Sequence, residues 1–442
     1  MIPNDTIAAL ATAPGTGGIA IVRVSGPDSE GLLRSLFTPA RDFESHRLYY
    51  GHAVHRGQTL DECMAVLMRA PKSYTREDVA ELHLHGGVFT ANAVLAALWD
   101  LGARPAEPGE FTRRAFLNGR VDLSRAEAVI ALISAESGRA ARAALRQLSG
   151  GADSFIQKAQ AQLTSILSGV AAALDYPEEI SFEEAAGDMA TAALQLADTL
   201  DAACDERGAR ILESGLEAVL CGRPNVGKSS LLNALARQDR AIVTDIPGTT
   251  RDVIRADIQI NGLLVHLSDT AGLRDDADTV EKIGVDRARK TIQSADAVIV
   301  VLDASHPLGP EDRALLWDTE GSPRIFALNN CDLPPVLNAA DFDNALFIST
   351  VSGEGIPALE QKIAAFAANA GQSALTQARH MALARQAAAA LRRAAECCQA
   401  GGAMDAAAVE LHEALHLLGR VTGEEVDEKL LDDIFSNFCV GK

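Results

Sequence analysis

One stretch limits the folds open to this chain more than any other. In LEAVLCGRPNVGKSSLLNAL an apolar run of strand character stops at Gly222, and a helical run begins at Lys228. Strand, glycine-bounded loop and helix in direct succession form a phosphate-binding turn. The glycines let the backbone wrap an anion, the amides and the helix N-terminus point at it, Lys228 supplies a point charge, and Ser229 offers a hydroxyl to Mg²⁺. A plain structural turn would require neither the lysine nor the serine. The turn belongs to a parallel sheet, and its surroundings agree: VIRADIQING, LLVHLSD, DAVIVVLDA, RIFALNN and NALFIST read as strands, each followed by turn residues or a helical stretch. That alternation predicts a doubly wound, mostly parallel sheet.

The rest of the chain reads differently. At 442 residues it exceeds one core. GGIAIVRVSG and DVAELHLHGG read as strands and VFTANAVLAALWDLG as a helix, so residues 1–118 form an α+β domain. Residues 119–213 and 374–442 carry Ala/Leu helical periodicity, and an apolar content of 48% with only 4% aromatic residues fits Ala-rich helix packing. The expected fold class is therefore multidomain α/β and α: an N-terminal α+β domain, a discontinuous helical domain, and a P-loop domain over 214–373 inserted into it.

Several function classes are disfavoured. No apolar run reaches the roughly 20 residues of a membrane span, and the N-terminal stretch lacks a basic region before an apolar one, so a cytosolic location without membrane partners is expected. Seven cysteines without a CxxC pair indicate neither a disulfide framework nor a zinc cluster. The net charge of −20 argues against a broad nucleic-acid binder. Between Arg104 and Arg146, however, eight arginines face five acids. Arg139, Arg142 and Arg146 share a helical face, as a phosphate-tracking stripe or as ordinary solvated charge.

Further motifs define the nucleotide. Asp269–Gly272 (DTAG) ends a strand, where an Asp reaches Mg²⁺ through water and a glycine amide meets a γ-phosphate. The polar loop Thr244–Asp252 offers Thr250 to the metal, as a switch loop does. Asn329–Asp332 stands at the spacing of the guanine-reading NKxD element, and Asp332 can accept both the N1 and N2 protons of guanine. Asn330 replaces the usual lysine, and Ser349–Val351 replaces the usual SAK, which lowers the expected affinity but not the selectivity. Leu273 stands where Ras-like enzymes place the glutamine that orients water. Either hydrolysis is very slow, or another group acts: an arginine finger, a monovalent cation held by Asn225, or a carboxylate of DDADTVEKIG such as Glu281.

These motifs, with YTREDVAELHLHGG, GEFTRRAFLNGRVDLSRAEA and the terminal FSNFCVGK, closely resemble the MnmE (TrmE) family of tRNA-modification GTPases across essentially the whole chain. The resemblance implies a folate-binding, dimerising N-terminal domain, a helical domain and an inserted G domain. It also implies a homodimer that joins the flavoprotein MnmG (GidA) in a heterotetramer. Together, the resemblance implies, they would add an aminomethyl or carboxymethylaminomethyl group to carbon 5 of the tRNA wobble uridine.

The implied cofactors are GTP, Mg²⁺, K⁺ and a reduced folate (5-formyl- or 5,10-methylene-tetrahydrofolate). Carried over residue by residue, the GTP contacts fall on Asn225, Val226, Gly227, Lys228, Ser229 and Ser230, then on Thr244, Asp245, Ile246, Pro247, Gly248, Thr249 and Thr250. They continue at Asp269, Thr270, Ala271, Gly272, Asn329 and Asp332. Mg²⁺ falls to Ser229 and Thr250, and K⁺ to Asn225, Thr244, Ile246 and Thr249. The catalytic carboxylate falls on Glu281, and the folate contacts on Arg23, Glu81, Arg120 and Lys442.

From the residues alone, the period of two in VAELHLHGG puts Glu81, His83 and His85 on one strand face, as a metal triad or ordinary polar residues. Two other functions are compatible with the motifs: an Era-type RNA-binding GTPase, which would need a KH-like module that is not visible, and a folate-dependent one-carbon transferase with a GTP switch.

Overall fold

The computed structural model describes residues 5–176, 178, 181–238, 255–269, 289–399, 404–424, 426 and 428–442. The chain divides into two compact units: Met1–Ile130, Gln147–Ala197 and Gln386–Lys442 form the first, and Ala131–Arg146 with Asp198–Arg385 the second. Its architecture is multidomain α/β, with two sheets and abundant helix.

The first unit holds a seven-stranded sheet of β1 (Ile7–Leu10), β2 (Ala20–Ser25), β3 (Phe37–Thr38), β4 (Leu48–His55), β5 (Gln58–Met68), β6 (Val79–Leu84) and β7 (Arg104–Pro105), in the order β3-β4-β5-β6-β2-β1-β7. Alternation along β2 and β6 gives the sheet two faces. Ala20, Val22, Val24, Leu82 and Leu84 pack against Leu32, Leu33 and Leu36 of helix Ser29–Leu36 and Val94, Leu95 and Leu98 of helix Val88–Asp100. Arg23, Glu81 and His83 occupy the other face, half-buried, with Arg23 and Glu81 directly opposite in the register.

Helices Gly151–Asp175 and Met404–Thr422 of the same unit bury Ala159, Leu163, Ala407, Leu411, Ala414 and Leu418. The short helix Glu428–Ser436 joins Leu431, Phe435 and the following Phe438 to Leu123 and Ala126. That cluster delivers residues 439–442 to the strand edge: Gly109 N–H donates to the Cys439 carbonyl at 3.4 Å, and Val440 bridges Pro108.

In the second unit, β8 (Leu216–Cys221), β9 (Arg255–Ile260), β10 (Leu263–Asp269), β11 (Ala297–Asp303), β12 (Arg324–Asn329) and β13 (Ala345–Phe347) form a sheet ordered β13-β12-β11-β8-β10-β9. All pairs are parallel except β9 with β10. Its two faces are both apolar, as a doubly wound sheet requires. Ala218, Leu220, Ile299 and Val301 face Leu231, Leu235, Leu359 and Ile363, while Val219, Cys221, Val298 and Val300 face Ile292 and Ala295.

The arginine stripe lies in this unit and has partners of its own. Arg139 donates to the Ala367 carbonyl at 2.8 Å and Arg146 to the Gly371 carbonyl, while Arg142 and Arg146 are both exposed. Two of the three therefore serve backbone carbonyls in the turns that follow helix Ile356–Ala365. Among the described residues, no helix is long and apolar enough to cross a membrane.

Candidate functional site

The nucleotide loop leaves the central strand β8 and enters helix Lys228–Gln238. Its turn depends on two positive-φ residues, Asn225 at +63° and Gly227 at +99°. A Cβ at Gly227 would strike the Asn329 side chain, so only glycine suits the place. Lys228 is buried, and its ammonium donates to the carbonyls of Gly222 and Arg223 at 2.9 and 3.0 Å. Ser229 and Ser230 stand exposed in the first helical turn, and Val226 is buried beneath the loop. Amides at a helix N-terminus with an adjacent lysine suit a polyphosphate. The Ser229 hydroxyl and the buried Asp269 at the end of β10 are of the type Mg²⁺ takes. The exposed Asn225 amide has a donor oxygen of the type K⁺ takes.

Asn329 ties this loop to the base-reading side. Its side-chain amide donates to the Val226 carbonyl at 2.9 Å, and its oxygen accepts from Thr350 N–H at 3.2 Å. Ser349 Oγ donates to Asp332 at 2.6 Å and accepts from the amides of Val351 and Ser352, which fixes the carboxylate of an otherwise exposed Asp332. Sequence reasoning named the serine's loop without this role. Thr244, Asp245, Ile246, Pro247, Gly248, Thr249, Thr250, Thr270, Ala271, Gly272 and Glu281 lie outside the described residues.

The first unit assembles a second cluster. Arg23 Nε donates to Glu81 at 2.8 Å, and its Nη1 reaches the Gly441 carbonyl at 3.5 Å, beside Lys442. The guanidiniums of Arg23 and Arg120 lie 5.4 and 4.6 Å from the Tyr74 ring centre, and Arg120 also donates to the Tyr74 carbonyl. Phe111 closes the back of Arg23 at 5.7 Å. Helix Glu110–Leu117, which carries Phe111, is pinned by the buried Arg114 through Asp5, Glu77 and Glu110.

The metal-triad reading of β6 does not match this geometry. Glu81 and His83 are 3.2 Å apart, but His85 turns to Asp61 at 2.8 Å, and among the described residues no group of His, Cys, Asp or Glu is placed to hold a metal. Burial works to raise the Glu81 carboxyl, yet hydrogen bonding from His83 and the charge of Arg23 outweigh it and hold the group below its ordinary value. An ionised carboxylate, two guanidiniums and an aromatic ring suit a planar heterocycle with an anionic tail. Tyr74 and Phe111 were not anticipated; an aromatic scarcity of 4% was the available signal that each ring has a specific place.

Comparison with known proteins adds to this geometry. The family model described as the MnmE helical domain matches residues 123–439, and that of the GTP-binding protein TrmE N-terminus matches residues 6–120. The chain belongs to the MnmE family of tRNA modification GTPases.

Among the MnmE relatives, that of Lactiplantibacillus plantarum is 44% identical over 459 residues, covering 99% of this chain and 98% of its own. That of Chloroflexus aurantiacus is 44% identical over 454 residues, covering 99% and 100%. Among solved structures, the G domain of the T. maritima FeoB iron transporter matches 34% of this chain and 98% of its own at 29% identity, with a TM-score of 0.28. As an MnmE-family member, the chain is a GTP hydrolase with a P-loop.

Proposed function

We propose that this protein is a potassium-stimulated GTPase that works with the flavoprotein MnmG in folate-dependent addition of an aminomethyl or carboxymethylaminomethyl group at carbon 5 of the tRNA wobble uridine. The observation that carries the reading is the presence, on one chain, of the phosphate loop clipped by Asn329 and of the Arg23–Glu81–Tyr74–Arg120 cluster.

In the proposed G domain, the loop amides and Lys228 hold the phosphates, and Asp332, fixed by Ser349, reads guanine. Ser229 and Thr250 would hold Mg²⁺, and Asn225 with the carbonyls of Thr244, Ile246 and Thr249 would hold K⁺. Bound there, the two cations would supply positive charge against the charge that develops on the γ-phosphate. Glu281 orients water, because Leu273 cannot. In the other unit, Glu81 accepts the paired protons of the pterin, while Arg23, Arg120 and Lys442 bind around it. The reduced folate supplies the one-carbon unit.

Hydrolysis gates conformations and takes no part in the bond chemistry at uridine. We assign the domains as residues 1–118, 119–213 with 374–442, and 214–373. The protein acts in the cytoplasm as a homodimer within a heterotetramer with MnmG, which brings tRNA to an acidic chain.

Turnover should be several-fold faster in KCl than in NaCl, and Glu281→Ala should abolish hydrolysis while retaining GTP binding. Equal rates in the two salts would remove the cation from the reading, and retained turnover would move catalysis from Glu281. Absence of reduced-folate binding in a titration would sink the folate assignment, and unchanged wobble uridines in a deletion strain the tRNA assignment.

A further inference from the structure

Asn330 occupies the position where the guanine-reading element ordinarily has a lysine, whose long stem spans toward the phosphate loop. Here the residue is short and held at a φ of +65°, directly after Asn329, whose carbonyl accepts from Ala304 N–H at 2.8 Å. Asp303 ends β11 and stands opposite Asn329 in the register. Its carboxylate also accepts from the amide of Ser305 at 3.0 Å and from the Ser305 hydroxyl at 2.7 Å, and lies 3.1 Å from His306.

From the other side comes Arg223, the second residue of the phosphate loop. Its Nη2 lies 3.7 Å from Asp303 Oδ2, and its Nε 3.9 Å from Asp312 Oδ1. Asp312 is buried at 3% exposure; one of its oxygens accepts from Gly309 N–H at 2.9 Å, while Oδ1 has no hydrogen-bond partner among the described residues. A buried acceptor without a donor is costly. A movement of Arg223 by about an ångström would turn both contacts into charge-assisted hydrogen bonds.

We propose that Asp303 is a positioning residue that couples the phosphate loop to the guanine-reading loop, through Arg223 on one side and its register partner Asn329, which precedes Asn330, on the other, in place of the missing lysine. The proposal rests on the nucleotide reading given above. Asp303 touches no nucleotide in this scheme; it acts by keeping Asn329, Asn330 and the loop at Arg223 in one register. An isolated exposed Arg–Asp pair contributes little, whereas this one adjoins a buried carboxylate and a residue of the base-reading loop.

The test is release of a fluorescent guanine nucleotide, mant-GDP, from the full-length protein, alongside thermal unfolding without nucleotide. Arg223→Ala and Asp303→Asn should each speed release about tenfold, the size of one charge-assisted hydrogen bond, with unfolding midpoints unchanged. The double variant should release no faster than the quicker single one, because both break the same link. Arg223→Lys should recover part of the loss, and Asn330→Lys should slow release in the Asp303→Asn background by restoring a direct span.

Release in the double variant equal to the product of the two single effects would overturn the proposal, as would single variants that behave like the parent. If Asp303→Asn fails to fold, Arg223→Ala against Arg223→Lys decides it: equal release from both overturns the proposal. A parent protein that does not bind mant-GDP would instead defeat the nucleotide reading, which separates the two failures.

Discussion

Glu81 is a carboxylate kept ionised on a half-buried strand face, and the sign of its pH effect follows from its neighbours. Its folded value lies below the ordinary carboxylate value of 4.5, with burial opposed by His83 and Arg23. Its interactions therefore stabilise the fold fully above pH 4.5, and that contribution is lost as the pH falls through the lower folded value. Urea unfolding of the parent and of Glu81→Gln should differ by a constant amount from pH 8 down to about 5.5 and converge only in more acidic solution; a difference that vanishes near pH 7 would contradict this. Gly441 illustrates the opposite kind of constraint, a residue needed for what it lacks. Its φ is +93°, and a Cβ there would overlap the Leu10 carbonyl. Gly441→Ala should displace the tail from Arg23 and weaken reduced-folate binding about tenfold, for roughly 1–3 kcal/mol of strain, as read by fluorescence titration; unchanged affinity would remove the tail from the site. Neither the packing of Gly441 nor the place of Tyr74 beside two guanidiniums was legible in the sequence, because both depend on partners remote along the chain.

Elements differed in how plainly their sequences announced them. Five strands of the second unit stood out as apolar runs because both faces of the sheet are covered there, whereas the edge strand β9 alternates Ala256, Ile258 and Ile260 with Asp257 and Gln259; Asn261–Gly262, at φ values of 52° and 71°, forms the tight turn that makes β9 antiparallel to β10. The β4–β5 hairpin was missed. Its burial is irregular, with Leu48, Tyr50 and Met64 exposed, and its turn uses Arg56 at a φ of 50° before Gly57, where Asn or Asp would have given the usual signal. The helical elements were legible as helix from their alanines, but their pairing was not, since Ala offers little shape to match. Helix Ala378–Gln399 buries Ala387, Ala388, Ala390, Ala394 and Ala395 almost completely. Adding three carbons at such a point overfills it: Ala390→Leu should cost about 1–3 kcal/mol, measured by chemical denaturation, whereas a neutral result would mean the helix has room to spare.

At the scale of the whole molecule, the two units have separate cores and separate candidate sites. Heating should resolve two transitions, with a GTP analogue raising the midpoint of one and a reduced folate that of the other. One transition shifted equally by both ligands would show a single cooperative block. The nucleotide site was readable because its residues cluster in short motifs within one unit, whereas the folate-type cluster draws on residues from Arg23 to Gly441 and became visible by family likeness rather than by spacing. That span has a consequence for biosynthesis. The contact between Arg23 and Gly441 closes a separation of 418 residues, and an unstructured loop of that length costs several kcal/mol to close. If the inserted unit folds first, it shortens the loop to be closed. The order of synthesis then matches the order of assembly: the nucleotide switch can form during translation, while the Arg23 cluster waits for residues 439–441 and is completed after every other element named above.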